Sequence, residues 1–425
     1  MNRSLPDFLS QRLTRPAAVF GGAVSGKGAV ALLRKIGASA VVYDQAGTEF
    51  TPEAAQRHGL AIYSPGFPLN HPWLRMARET ACIRMAEIDF ASLFWCGRIA
   101  AITGTNGKTT LTEFLAHALN SVGRRAFAAG NVGIPFSQLV ADQDGGDPEM
   151  TAVCEVSSFQ SERLGHFCAD SLLWTNFAED HLERHGGLEA YFAAKWELVL
   201  RTPPSKFFAG SSVQRYATEF GRVLAAPSCI ATEGQEPDLA LAGTPFAEYP
   251  QRENFILAAA WWRAQGLSEA DLYAAARTFH LGRHRLTRVA SIEGVTYWND
   301  SKGTNFHAVE AALGAFKTPV VLIAGGRSKG GDIAAFVRRL APKAVHVVLI
   351  GETAPFLGAA CDLVGLAHTE CPSLEEAVRA ASSLAPNGGN VLLSPGFSSF
   401  DMFRNYEERG ERFEKAVNEL RAVRV

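Results

Sequence analysis

Long hydrophobic runs are missing from this chain of 425 residues: no apolar stretch approaches the roughly 20 residues a membrane-spanning helix needs. Residues 1–13 hold no apolar core of signal-peptide length, so neither export nor anchoring is expected. A charge excess of one sign is also missing. With 41 Lys and Arg against 43 Asp and Glu, the formal charge is -2, and the basic residues are scattered. The chain therefore has no basic field for nucleic acid or an anionic membrane, which points to small-molecule substrates. Cysteines are few and unpaired: the seven, at 82, 96, 154, 168, 229, 361 and 371, form no C-x-x-C motif, as expected of reduced thiols in a cytoplasmic protein. Internal repeats and low-complexity tracts are absent. What remains is 47% hydrophobic and 20% charged, the composition of a globular chain with several cored domains.

The most specific signal is Ala101-Ile102-Thr103-Gly104-Thr105-Asn106-Gly107-Lys108-Thr109-Thr110. Residues 98–102 read as a buried strand, and Leu111, Phe114, Leu115 and Leu119 share one helical face, so a glycine loop joins strand to helix. Gly104 and Gly107 let backbone N–H groups approach an anion, and the helix N-terminus adds partial positive charge. Lys108 can reach β- and γ-phosphates, and Thr109 can ligate Mg²⁺. A generic phosphate loop has glycine where Ile102 stands, so this is a variant of that loop.

The fold class expected is α/β in three domains. Strands at 17–20 and 40–43, a helix through Ile36 and the turn Gly21-Gly22-Ala23-Val24-Ser25-Gly26 make a Rossmann-like first domain, residues 1–96. Ala23 stands where a dinucleotide fingerprint needs glycine, so this turn is as compatible with plain packing as with a ligand; Asp44 lies near the position of a ribose-binding acid. Strands at 151–156 and 171–175 and helices at 187–200 and 254–264 belong to a central P-loop ATPase-like domain with a mostly parallel sheet, residues 97–282. Residues 201–251 carry little legible pattern. Strands at 295–298, 320–324, 345–350 and 391–393, alternating with helices, make a Rossmann-like α/β domain at 283–425.

Polar clusters follow several of these strands. Glu155 precedes Ser157-Ser158-Phe159-Gln160 and could hold a metal, and Thr175-Asn176-Phe177-Ala178-Glu179-Asp180-His181 lies where ligands gather in open sheets. His181 and His185 have helical zinc spacing, but Leu182 replaces the zincin glutamate and no third ligand is evident, so zinc is rejected. Lys195 alone reads as a solvated helix lysine. Asp300-Ser301-Lys302-Gly303-Thr304-Asn305, Gly325-Gly326-Arg327-Ser328-Lys329 and Ser394-Pro395-Gly396-Phe397-Ser398-Ser399 all follow strands. Their two lysines and hydroxyls suit a dicarboxylate.

Taken in order, these segments, with Gly130-Asn131-Val132-Gly133-Ile134-Pro135, Ala194-Lys195, His284-Arg285 and Asn299-Asp300, resemble the Mur ligases over nearly the whole chain, and most nearly their glutamate-adding type. The resemblance implies a monomeric ATP-dependent ligase that adds D-glutamate to a UDP-N-acetylmuramoyl-L-alanine acceptor through an acyl phosphate. It implies ATP contacts at 104–110 and at Asn254, Arg285 and Asp300. Metal would be held by Thr109, Glu155, His181 and a Lys195 carbamylated by CO₂. The UDP-muramoyl acceptor would meet Ser25, Asp44, Gly66, Asn131 and His181, and glutamate would meet Lys302, Thr304, Lys329, Ser399 and Tyr406.

The chain also departs from the family pattern. Gln45 follows Asp44 without the usual arginine, and Leu257 stands where a second adenine-side asparagine is expected. Arg327, Gly396-Phe397-Ser398 and Tyr406 alter the glutamate pocket, which leaves L-glutamate or another amino acid as the alternative. Folylpolyglutamate synthase lacks the long first domain. A nicotinamide dehydrogenase would need a better glycine fingerprint, and a catalytically silent nucleotide-binding protein would not need Lys108, Glu155, His181 and Lys195.

Overall fold

The computed structural model of the protein describes residues 5–68 and 70–423; the extremities of the first and third expected domains, 1–4 and 424–425, lie outside the described residues. Three sheets organise the chain. The first joins β1 (Ala17–Phe20), β2 (Ala40–Tyr43), β3 (Leu60–Tyr63) and β4 (Ile83–Ala86) in the order β2-β1-β3-β4, all parallel. β1 and β3 are buried at every position and read as unbroken apolar runs, as central parallel strands do. β4 carries Arg84 inside four residues, which explains why it does not read as a strand in the sequence.

The second sheet comprises β5 (Arg98–Thr103), β6 (Ala126–Gly130), β7 (Thr151–Glu155), β8 (Ser171–Trp174) and β9 (Phe207–Ala209), also all parallel, in the order β6-β7-β5-β8-β9. The chain leaves β5 to build first one flank and then the other. The C-terminal end of β5 is therefore the switch point where open sheets bind ligands. The segment 201–251, opaque in sequence, contributes only the three-residue β9, one helix (Ser211–Glu219) and isolated turns, elements too short for a hydrophobic period to declare itself.

These two sheets form one compact unit (Met1–Phe177, Phe192–Thr244, Glu253–Phe279). The helix after β1 (Val24–Lys35) packs on the helix Phe136–Asp142. Gly28 makes this approach possible, since a Cβ there would lie 2.7 Å from Ser137 Oγ; Gly26 lets the helix start close to its own preceding turn, where a Cβ would lie 1.8 Å from the Gly21 carbonyl oxygen. The buried Glu87 carboxylate accepts hydrogen bonds from the Ser137 amide, at 2.7 Å, and from its hydroxyl. The glycines following Gly22 thus serve packing.

The second unit (Ala178–Tyr191, Pro245–Arg252, His280–Val425) is built on the third sheet: β10 (Thr287–Ile292), β11 (Val295–Asn299), β12 (Val320–Gly325), β13 (His346–Ile350), β14 (His368–Glu370) and β15 (Asn390–Leu393). Its order is β10-β11-β15-β12-β13-β14, with only the β10–β11 hairpin antiparallel. Both faces are covered. Along β12, Val320, Leu322 and Ala324 enter the core with Phe336 and Leu340, while Val321 and Ile323 enter the opposite core with Val378 and Phe413. Among the described residues, no helix is long and apolar enough to cross a membrane.

Candidate active site

In the first unit, β5 ends at Thr103 and, after the four residues 104–107, the helix Lys108–Ser121 begins, with Gly107 as its N-cap at φ 80°. Two contacts make glycine obligatory in this loop. A Cβ on Gly104 (φ 149°) would lie 1.9 Å from Thr175 Oγ1, and one on Gly107 would lie 2.5 Å from Asn254 Oδ1. Asn254, expected at the nucleotide, is thus packed against the loop's last turn.

The residues after β8 hold the loop from behind. Thr175 Oγ1 donates to the Asn106 carbonyl (2.6 Å), Asn176 Oδ1 accepts from the Asn106 amide (2.9 Å), and the Thr105 amide donates to the Asn176 carbonyl (3.0 Å). The sequence marks 175–181 as a polar cluster without revealing this bracing role. Lys108 Nζ folds back onto the carbonyls of Gly104 (2.9 Å) and Thr105 (2.8 Å); Thr109 and Thr110 are buried in the first helical turn.

Glu155 ends β7 beside β5, in register with Ile102. Its side chain is 1% exposed. Oε1 accepts from Asn131 Nδ2 at 3.0 Å, while Oε2 is buried with no hydrogen-bond partner among the described residues. An unsatisfied buried carboxylate oxygen is costly, and hard oxygen donors such as this one and the Thr109 hydroxyl suit Mg²⁺. The residues therefore fit a divalent cation, although among the described residues no group of three His, Cys, Asp or Glu side chains converges as a complete metal site.

Lys195, on the helix Leu188–Val199, is 1% exposed and not the solvated lysine its local sequence implies. Its Nζ donates to the Gly104 carbonyl at 2.9 Å and to Thr103 Oγ1 at 3.4 Å. A carbamate there keeps one N–H for the Gly104 carbonyl and adds two acceptor oxygens, so the position fits that modification too. Lys108, Lys195 and the Glu155–Asn131 pair thus sit around one strand-to-helix loop.

Elsewhere in this unit, Asp44, the residue after β2, accepts from the Gly22 amide at 2.6 Å and the Ala46 amide at 3.2 Å. These backbone bonds, Gly22 first, hold its carboxyl below the usual range. Ser25 lies in the first turn of the helix after β1, and Gly66 in the turn after β3.

In the second unit, β11, β15 and β12 are adjacent, so the three loops that follow them share one sheet edge. They are bonded together: Ser394 Oγ donates to Asp300 Oδ2 (2.7 Å), the Gly396 amide to the Gly303 carbonyl (2.8 Å), and the Arg327 amide to the Ser398 carbonyl (2.9 Å). Burial pushes the Asp300 carboxyl up to about 7 despite the Ser394 and Leu286 hydrogen bonds. Arg409, fully buried, donates to Ser301 Oγ (3.0 Å), the Ser301 carbonyl (2.9 Å) and the Phe397 carbonyl (3.2 Å), tying two of the loops together. Nothing in the sequence distinguishes this arginine from its helical neighbours.

Lys302 Nζ lies over the Tyr406 ring, 5.1 Å from its centroid. Lys329 pairs with Asp180 at 2.7 Å, and Asp180 Oδ2 also accepts from Asn305 Nδ2 at 3.1 Å. Burial alone would raise the Asp180 carboxyl, but Lys329, His181 and Asn305 outweigh it and bring it down to about 2. A small recess here is lined by Asp180, Thr304, Asn305, Lys329 and Phe397; Ser399 is buried in the β15 loop. His181 adopts φ 52° at the start of the short helix Leu182–His185, its ring within 4 Å of Asp180 and Glu183.

Residues 102–234 match the Mur ligase middle domain, and residues 284–397 match the Mur ligase, glutamate ligase domain. The UDP-N-acetylmuramoylalanine--D-glutamate ligase of Alkaliphilus metalliredigens is 33% identical over 95% of this chain and 98% of its own length. That of Geobacter metallireducens is 36% identical over 85% of this chain and 83% of its own. Among solved structures, the UDP-N-acetylmuramate-alanine ligase of Thermotoga maritima shares the fold, with a TM-score of 0.59 at 17% identity over 95% of this chain and 99% of that one. On the length and identity of these matches, the chain belongs to the Mur ligase family.

Proposed function

We propose that this protein is an ATP-dependent ligase of peptidoglycan precursor synthesis that joins the carboxylate of UDP-N-acetylmuramoyl-L-alanine to the amine of D-glutamate. The observation that carries the reading is 33% identity along 95% of the chain to a relative of that name. The phosphate loop and the bonded loops after β11, β15 and β12 supply chemistry that fits it. We take 1–96 as the acceptor domain, 97–282 as the ATP domain and 283–425 as the amino-acid domain. The seven cysteines are all free thiols, which suits a reducing cytoplasm, and we read the protein as a monomer there.

In this reading the triphosphate meets the loop amides of 104–110 and the helix N-terminus, and Lys108 turns from the loop carbonyls to the transferring phosphoryl. Asn254, Arg285 and Asp300 hold the rest of ATP. Ser25, Asp44, Gly66, Asn131 and His181 hold the UDP-muramoyl acceptor. Mg²⁺, when bound through Thr109, Glu155, His181 and the Lys195 carbamate, supplies charge neutralisation at the phosphates. The acceptor carboxylate oxygen attacks the γ-phosphorus, forming an acyl phosphate and releasing ADP. The deprotonated glutamate amine then adds to the acyl carbon, and the C–O bond to phosphate breaks. Lys302, Thr304, Lys329, Ser399 and Tyr406 orient the two glutamate carboxylates, with charge-assisted hydrogen bonds from the lysines.

The altered pocket, with Arg327, Phe397 and Tyr406, makes stereochemistry the sharpest test of the reading. Phosphate release scored across amino acids with the UDP-muramoyl acceptor, followed by chiral analysis of the product, should give D-glutamate; dependence on L-glutamate or on a different amino acid would overturn it.

A further inference from the structure

The N-terminal ends of the central strands, opposite the phosphate loop, enclose a cavity of about 380 Å³. Arg98 opens β5, Thr151 opens β7 and Ser171 opens β8, and all three line it. At about 3.3 Å per residue, the five steps along β5 from Arg98 to Thr103 put the cavity roughly 17 Å from the loop. It is therefore separate from the site described above, and its volume lies in the range of small-molecule pockets, about 300–1,000 Å³.

Its charge is lopsided. Arg98, Arg124 and Lys206 all line it, and none of these side chains has a hydrogen-bond or ion-pair partner among the described residues. The lining contains one carboxylate, Asp170, and its Oδ2 is already engaged by the Ile99 amide at 2.7 Å. An adjoining recess of about 110 Å³ shares Arg98, Arg124 and Thr151 and adds Glu149 and Arg125; Arg125 is paired with Asp147 at 2.8 Å. The remaining walls are apolar: Ile99, Leu119, Pro203, Leu267 and the flank of Trp261, whose Nε1 donates to Ser171 Oγ at 2.8 Å.

Three cations brought to one concavity repel each other unless an anion joins them, and phosphate oxyanions accept readily from arginine and lysine. Apolar walls next to them suit a ligand body that is itself apolar or aromatic. From this we infer that the cavity at the N-terminal ends of β5, β7 and β8 is a second binding site, for a small phosphate monoester carrying an apolar or aromatic body. The phosphate is held by Arg98, Arg124 and Lys206, and the body lies against Leu119, Leu267 and Trp261.

The test is calorimetric titration of the full chain with 1-naphthyl phosphate while the phosphate loop is saturated with a non-hydrolysable ATP analogue and Mg²⁺. The expected result is one site, weakened at least tenfold in the triple variant Arg98→Gln, Arg124→Gln, Lys206→Gln, equally weakened by the cavity-filling Ser205→Trp, and unchanged in Lys108→Ala. Neutral 1-naphthol should bind at least tenfold more weakly. Ligation activity and the far-ultraviolet spectrum of both cavity variants should match the parent, because none of these residues serves the reaction. No binding at millimolar probe, binding indifferent to both cavity variants, or binding lost with Lys108→Ala would overturn the inference. The last result would assign the probe to the nucleotide loop and leave the ligase reading standing.

Discussion

Asn131 holds one oxygen of the Glu155 carboxylate at 3.0 Å and leaves the other buried without a partner among the described residues. That relationship joins two segments 24 residues apart, the turn after β6 and the end of β7, and it keeps a buried acceptor oxygen where a cation or a donor from a ligand can satisfy it. Glu155→Gln should therefore separate function from stability. Replacing a buried carboxyl group whose Oε2 has no hydrogen-bond partner among the described residues leaves apo stability unchanged or raised, while kcat/KM for ligation falls by on the order of 10² or more and the Mg²⁺ requirement rises. Thermal unfolding and Mg²⁺ titration of phosphate release check the two halves; a variant both destabilised and fully active would contradict this role.

Lys108 presents its ammonium to the Gly104 and Thr105 carbonyls at the mouth of the phosphate loop. Lys108→Ala should lower kcat/KM for ligation by on the order of 10³ or more, through lost charge stabilisation at the transferring phosphoryl. Phosphate release near the parental rate would refute that.

For Lys195, buried against Gly104, the prediction is chemical rescue. If a carbamate supplies its carboxylate, Lys195→Ala should lose activity and regain part of it with added formate or acetate. An activity curve that stays flat over all carboxylate concentrations would remove the carbamate from the account.

Glu253 has a carboxyl pushed up to about 7, chiefly by burial and then by the neighbouring Glu233, with Arg215 opposing. A folded value above the unfolded one means that the folded state holds the proton more tightly. The stability this contributes is complete below about 4.5 and is lost as pH rises through 7. Glu253→Gln should consequently stabilise the protein relative to the parent at pH 8.5, by roughly 1–2 kcal/mol after allowing for partial solvent screening, with a smaller difference at pH 5.5. Urea denaturation at both pH values checks the sign, and an advantage larger at the lower pH would reverse it.

Arg409 offers a different kind of test, because it ties together the loops after β11 and β15, which we propose receive glutamate, and touches no expected substrate group. Arg409→Met leaves the Ser301 and Phe397 carbonyls without this donor and should cost about 2–4 kcal/mol in denaturant unfolding. The KM for glutamate should rise more than the KM for ATP. Equal changes in both constants would mean the effect is on folding alone.

Much of this arrangement can be read from the sequence, for identifiable reasons. β1, β3 and β12 are buried throughout and so appear as unbroken apolar runs, β5 and β7 carry apolar centres between polar ends, and the phosphate loop declares itself because its glycines, lysine and threonines lie close together. The illegible parts are those whose meaning depends on distant partners. Lys195 looks like a surface lysine until β5 is placed beside its helix. Asp180 gives no sign that it pairs with Lys329, 149 residues later. Thr175 and Asn176 are visible as a polar cluster, but their grip on Asn106 emerges only from the β5–β8 pairing. Arg409 is one of several arginines in a charged helix, distinguished solely by burial.

On the proposed mechanism, the acceptor carboxylate is activated as an acyl phosphate in the loop between β5 and its helix. The most direct measurement of that step is oxygen transfer, using UDP-N-acetylmuramoyl-L-alanine labelled with ¹⁸O in the carboxylate, together with ATP, Mg²⁺ and D-glutamate. Mass spectrometry should find one ¹⁸O in each phosphate released and one retained in the new amide. Unlabelled phosphate formed alongside product would contradict the account.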